Sequence, residues 1–129
     1  MEVEDVEVDV AYAMWRAGDL FVDVRTPEEY ARGHIPDAVN VPVDRIAFSL
    51  ASLPAEQLVT VCSTGVRSRR AAETLARLGR PAFSLRGGTK AWAAAGHRLD
   101  TGDRPTRPER GRFERLLRRL RTFVNGSRR

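Results

Sequence analysis

The amino-acid sequence predicts a three-layer α/β domain: a mostly parallel central sheet with helices on both faces, followed by a C-terminal amphipathic helix. Three observations point there. Strand-like and helix-like segments alternate at short spacing through residues 1–100, the pattern that crossover connections impose on a parallel sheet. Leu20–Val24 and Leu58–Cys62 are almost unbroken apolar runs, as strands covered on both faces should be. The chain has 129 residues, 42% hydrophobic and 30% charged, which suffices for one buried core and leaves little room for a second.

The elements follow in order. Val6 and Val8 alternate with acids and suggest a short strand. Asp9 can cap a helix over Val10–Ala17 that stops at Gly18. Leu20–Val24 is the first covered strand. Thr26-Pro27-Glu28-Glu29 supplies an N-cap, a proline in the first helical position and a capping-box glutamate, so a short helix opens there. Gly33–Asp37 ends it in a turn, Ala38–Val41 reads as a strand, and Asp44–Leu50 as a helix. Leu58–Cys62 is the strongest strand, rich in β-branched residues. Ser68–Leu78 is helical, with Ala71, Ala72, Leu75 and Leu78 on one face and Gly79 as its stop. Ala82–Leu85 is a strand, Gly87-Gly88 a turn, and Thr89–Ala95 a helix ended by Gly96. The domain is expected over residues 1–100, a Pro-containing linker over 101–111, and a basic amphipathic helix over 112–125.

Composition removes several function classes. No uninterrupted apolar run, Ala91–Ala95 included, approaches the roughly 20 residues that cross a bilayer. The N-terminus is acidic, where a secretory signal would be basic. Cys62 is the only cysteine and the two histidines, His34 and His97, lie far apart, so neither a disulfide framework nor a Cys/His metal site is expected. The net charge is +5, but residues 101–129 hold ten arginines against Asp103, Glu109 and Glu114, leaving residues 1–100 at −2. The basic character therefore belongs to the tail, and nucleic-acid binding by the domain is not expected. A cytoplasmic chain without a metal site is the expectation.

Cys62 stands at the carboxyl end of the strongest strand, followed by Ser63-Thr64-Gly65-Val66-Arg67-Ser68 and a helix. Ligands of open α/β sheets bind where loops leave the carboxyl ends of strands. A tight strand-to-helix loop can aim several amides into one concavity and so form a nest for negative charge. The helix dipole and the Arg67 charge add to it. A thiol held there should ionise readily and act as a nucleophile. The competing reading is an inert buried cysteine at a strand end.

Four motifs occur in register: Asp23-Val24-Arg25-Thr26-Pro27-Glu28-Glu29-Tyr30, Gly33-His34-Ile35-Pro36-Asp37-Ala38-Val39-Asn40-Val41-Pro42, Cys62-x-x-Gly65-x-Arg67-Ser68, and Leu85-Arg86-Gly87-Gly88 with Trp92. Together they resemble a single-domain rhodanese over Val6 to Arg98. The resemblance implies a sulfurtransferase of the thiosulfate:cyanide type, which needs no metal and no organic cofactor. Cys62 would take the outer sulfur of thiosulfate or another persulfide donor, become a persulfide, and pass the sulfur to cyanide or a thiol. The Ser63, Thr64, Gly65, Val66, Arg67 and Ser68 amides would surround the persulfide. Related phosphatases and arsenate reductases of this fold resemble Cys-x5-Arg, one residue longer than the Cys62-x4-Arg67 interval, so that activity is the weaker reading. The neutral Ser63 and Thr64 beside the basic Arg67 fit neither thiosulfate-using nor mercaptopyruvate-using relatives fully. A second reading is a persulfide carrier or sensor that docks a protein partner through its basic tail.

Other residues carry two readings each. Asp23 and Arg25 could orient the catalytic loop or form a structural ion pair that fastens the following helix; the pair is favoured. The resemblance puts His34 in a structural turn. Gly87-Gly88-Thr89-Lys90 lacks the order of a Walker loop and reads as a glycine turn. Trp92 suits packing between helix and sheet, and Arg69 and Arg70 either gather anions or face solvent. The apolar stripe of Phe113, Leu116, Leu117, Leu120, Phe123 and Val124 suits packing on the domain, a second copy of the chain, or a membrane surface or acidic partner.

Overall fold

The computed structural model of the protein describes residues 3–49, 53 and 57–105. Along the chain run β1 (Glu4–Val6), α1 (Val8–Arg16), β2 (Leu20–Asp23), α2 (Pro27–Arg32), β3 (Val39–Asn40), a 3₁₀ turn at Val43–Arg45, β4 (Leu58–Val61), α3 (Val66–Arg77), β5 (Ala82–Leu85) and α4 (Gly88–Ala94). The sheet order is β1-β5-β4-β2-β3, and all four pairings are parallel. Register aligns Val6 with Leu85, Val61 with Asp23, and Asp23 with Asn40. These strands therefore end together on one carboxyl edge, and Cys62 lies one residue past it.

Side-chain alternation splits the core into two layers. Val22, Leu58 and Cys62 face Ala71, Ala72 and Leu75 of α3 and Ile46 after the 3₁₀ turn. Phe21, Val59, Val61 and Leu85 face Ala11 and Trp15 of α1 and Trp92 of α4. Trp92 is 1% exposed, packs edge-on to Phe21 at 6.0 Å, and donates its indole N–H to the Arg98 carbonyl at 3.0 Å. Thus α3, which follows β4, covers one face, and α4, which follows the adjacent β5, belongs to the other. Neighbouring strands whose helices leave to opposite faces open a crevice at their carboxyl ends. Cys62 stands at that switch point.

Several boundaries differ from the sequence reading. Helix α1 begins at Val8 with Glu7 as N-cap and no side-chain cap; Asp9 is inside its first turn and accepts from the adjacent Val10 amide at 2.9 Å. Strand β1 accordingly closes at Val6. Of the helix expected over Asp44–Leu50, the described residues to Ser49 form the end of a three-residue 3₁₀ turn, Val43–Arg45, and further turns, with Phe48 and Ser49 both bonding back to the Arg45 carbonyl at 3.1 Å. Within it Ile46 is buried and Phe48 is exposed. Helix α3 starts two residues earlier than expected, so Val66, Arg67 and Ser68 are its first turn. The capping box of α2 forms as read: the Glu29 amide donates to Thr26 Oγ1, and the Thr26 amide to Glu29 Oε1, both at 3.2 Å.

Beyond α4, His34 and Asp100 exchange backbone hydrogen bonds of 2.8 Å, and the Gly102 amide reaches the Ala31 carbonyl at 2.9 Å. The chain is tied down as far as Gly102. The expected linker beyond residue 105 and the helix over 112–125 lie outside the described residues. No helix among the described residues is long and apolar enough to cross a membrane.

Candidate active site

The strand run Leu58–Val61 carries Cys62 to the carboxyl edge, where Ser63 and Thr64 turn the chain and Gly65 opens α3. Gly65 sits at φ +111°, a conformation that disfavours any residue with a Cβ. Its amide donates to Cys62 Sγ at 3.0 Å. The Ser68 hydroxyl, in the first turn of α3, lies 3.5 Å from the same sulfur. Cys62 is 1% exposed and Ser68 fully buried, whereas Thr64 and Val66 are exposed at the rim. The sulfur therefore lies buried beneath a loop whose Thr64 and Val66 face outward.

Burial pushes the Cys62 thiol up, but the Ser68 hydroxyl and the amides of Ser68, Gly65 and Thr64 outweigh it and leave the thiol below its usual value. The cause is hydrogen bonding to the charged form. Arg67 contributes less than the sequence suggested. Its guanidinium is bidentate on Glu29 of α2 at 2.7 and 2.9 Å, with Ser63 Oγ at 3.3 Å. The Arg67 charge expected to add to the cradle is compensated by a carboxylate 38 residues away. In return the Arg67 hydrogen bonds hold Glu29 down to about 2 from 4.5.

Asp23 and Arg25 form a buried pair. Arg25 donates from Nε and Nη2 to the Asp23 carboxylate, the shortest contact being 2.7 Å, and from Nη2 to the Gly33 carbonyl at 2.6 Å. These bonds tie the end of β2 to the turn after α2. Among the described residues neither side chain hydrogen-bonds residues 62–68, so the pair fastens the helix rather than the loop. His34 is fully buried, stacks on Tyr30 at 3.8 Å, and contacts the Tyr30 carbonyl through Nδ1 at 2.9 Å. Arg69 pairs with Asp5 at 2.9 Å.

Three contributors escaped the sequence reading. Glu29 was visible as a capping residue but not as the partner of Arg67. Gly88 was visible as a turn glycine, yet a Cβ there would lie 2.2 Å from the Cys62 carbonyl oxygen. The close approach lets the amides of Thr89 and Lys90 donate to the Cys62 and Ser63 carbonyls at 2.8 and 3.2 Å. The glycine turn thus clamps the cysteine loop. Ser84 is a fully buried hydroxyl in β5, 2.8 Å from the Ser68 hydroxyl. A serine inside an otherwise apolar strand was its only signal.

A thiol whose ionisation is favoured by the amide and hydroxyl donors around it suits covalent chemistry through an anionic sulfur. Comparison with known proteins agrees with that geometry. The family described as rhodanese-like domain matches residues 7–95. A sulfurtransferase of Allochromatium vinosum is 40% identical over 79 residues, 60% of this chain and 74% of that protein. Thiosulfate sulfurtransferase 16, chloroplastic, of Arabidopsis thaliana is 33% identical over 105 residues, 70% of this chain and 88% of that one. The crystal structure of a rhodanese-like domain protein from Staphylococcus aureus superposes with a TM-score of 0.69 at 34% identity, covering 78% of this chain and 99% of that chain.

Proposed function

This chain belongs to the rhodanese-like domain family, and from that premise we propose that it is a sulfurtransferase working through a persulfide on Cys62. Relatives named as sulfurtransferases support sulfur transfer in general. The donor is thiosulfate or another persulfide, and the acceptor is cyanide or a thiol. The observation that carries the reading is the sulfur at the switch point, with the Gly65 amide at 3.0 Å and the Ser68 hydroxyl at 3.5 Å.

The Cys62 thiolate attacks the outer sulfur of thiosulfate. An S–S bond forms to Sγ, the S–S bond of the donor breaks, and sulfite leaves with the electron pair. The charge now rests on the outer sulfur, and the loop amides from Ser63 to Ser68 are the donors available to hold it. An acceptor nucleophile then attacks that outer sulfur and returns Cys62 to a thiolate. No net oxidant or reductant is consumed. Arg67, engaged on both nitrogens by Glu29, is poorly placed to grip a tetrahedral oxyanion, which speaks against phosphate hydrolysis.

Intact-mass analysis after incubation with a panel of donors tests the proposal. Wild type should gain about 32 Da, one sulfur atom on the nucleophile. Cys62→Ser should gain nothing. A wild type that stays unmodified with every donor would overturn the reading.

A further inference from the structure

Two strands present hydroxyls to the residue beside the sulfur. Thr60 of β4 and Ser84 of β5 are register partners and fully buried. Thr60 Oγ1 donates to the Ser68 carbonyl at 2.7 Å, while Ser84 Oγ lies 2.8 Å from the Ser68 hydroxyl. We infer that Ser84 is a positioning residue for Cys62: its hydroxyl donates to the Ser68 hydroxyl and thereby directs the Ser68 proton to the sulfur.

The assignment follows from counting protons. Ser68 Oγ has three neighbours: Ser84 Oγ at 2.8 Å, the Gly65 carbonyl at 3.2 Å and Cys62 Sγ at 3.5 Å. A hydroxyl has one proton to give and lone pairs to receive others. The Gly65 carbonyl, which can accept two bonds, takes one from the Arg69 amide and one from Ser68 Oγ, both at 3.2 Å, while the thiol is neutral; an anionic sulfur is the stronger acceptor and competes for the Ser68 proton. Were Ser68 to donate to Ser84, the sulfur would lose its hydroxyl donor and the buried Ser84 proton would need an acceptor elsewhere. With Ser84 donating inward, every proton is placed, and an anionic sulfur receives a charge-assisted bond from Ser68. A hydroxyl that accepts one hydrogen bond donates the next more strongly, so the chain Ser84 to Ser68 to sulfur reinforces itself. When the thiol is neutral, its S–H donates to Ser68 instead, and the pair reverses.

The charges around the sulfur are untouched by this chain. Arg67 of α3 is held by Glu29 of α2, and Asp23 by Arg25 at the end of β2. Arg86 after β5 lies near Asp5 and Glu7, and Lys90 is an exposed residue of α4. None of them is hydrogen-bonded to Ser84 among the described residues, so removing that hydroxyl changes donor geometry without changing charge.

The inference rests on the proposed role of Cys62 for its consequence, but its test needs no sulfur donor. Cys62 is the only cysteine, so thiolate absorbance against pH reports it directly. Ser84→Ala should raise the ionisation midpoint by about half to one pH unit, a three- to tenfold loss of thiolate reactivity below the midpoint, roughly what one lost hydrogen bond to the charged form produces. Ser84→Thr, which keeps the hydroxyl, should restore the wild-type midpoint. In a Ser68→Ala background the Ser84→Ala change should add no shift. A purely structural serine would lower the melting temperature and leave the midpoint in place. An unchanged midpoint in Ser84→Ala, or the same shift in both backgrounds, overturns the inference. Should Ser84→Ala not fold, Ser84→Cys replaces it, with alkylation followed on the Cys62 peptide. A thiol is a weaker donor than a hydroxyl, so a smaller rise is expected there, and no rise overturns the inference. Failure to form a persulfide in the wild type would refute the proposed activity and leave this result standing.

Discussion

Gly88 offers the sharpest perturbation of the loop clamp. A Cβ at this position would stand 2.2 Å from the Cys62 carbonyl oxygen and 2.5 Å from both the Ser63 carbonyl carbon and its oxygen. All three are backbone atoms, so no flexible side chain can swing aside. Gly88→Ala must move the turn away from the loop and stretch the Thr89 and Lys90 bonds to the Cys62 and Ser63 carbonyls. Two weakened hydrogen bonds at about 0.5–1.5 kcal/mol each add to the cost of a positive φ of +59°, about 1–2 kcal/mol for a residue with a Cβ. The total is about 2–5 kcal/mol, or a fall in melting temperature of roughly 10–30 °C for a domain of this size. Gly79→Ala is the control: its φ is +84° but nothing lies within 4 Å of its Cβ. That variant should lose only the conformational part, about 1–2 kcal/mol. Thermal unfolding by circular dichroism gives both values, and the rate of sulfur loading reports the displaced loop. If Gly88→Ala is no less stable than Gly79→Ala and loads sulfur at the wild-type rate, the clamp argument is wrong.

Three further outcomes are expected. Asp23→Ala leaves the Arg25 guanidinium buried without its carboxylate, so chemical denaturation should show a loss of about 3–5 kcal/mol; the folded fraction should still load sulfur, and selective loss of loading with full stability would contradict a fastening role. Glu29 titrates near 2 in the folded protein against 4.5 ordinarily. Its folded value is the lower one, so its contribution is complete above about pH 4.5 and disappears as pH falls towards 2; in this half-open pair it amounts to about 1 kcal/mol or less after solvent screening. Wild type should therefore lose that much more stability than Glu29→Gln across the window, and parallel curves would dismiss the pair. Glu29→Gln should also free the Arg67 charge and move the Cys62 midpoint lower, which thiolate absorbance measures; a rise would contradict the compensation drawn here.

Much of the fold was legible because it rests on local signals. The runs Leu58–Val61 and Ala82–Leu85 carry β-branched or alternating apolar residues between breakers, and they form strands within one residue of expectation. Thr26-Pro27-x-Glu29 specifies a helix start by side-chain chemistry, and the capping box forms. Helix α3 begins two residues before its sequence signal because its N-cap is Gly65, which has no side chain to announce a cap, and because Val66 points outward at 76% exposure. Cys62 and its loop could be located from the strand end alone. The pairs Arg67–Glu29 and Ser68–Ser84 could not, since each joins elements far apart in sequence and neither leaves a periodic trace. Gly88 shows the same limit from another side. Its positive φ was readable as a turn, whereas the carbonyl it makes room for belongs to a different loop.

The most direct measurement is a load-and-chase experiment read on the Cys62 peptide by mass spectrometry. Protein loaded with thiosulfate and freed of excess donor should carry one additional sulfur on Cys62. Adding cyanide should then remove it and release an equal amount of thiocyanate. Sulfur found on any other residue, or a modified Cys62 that no thiophilic acceptor can discharge, would contradict transfer through this cysteine.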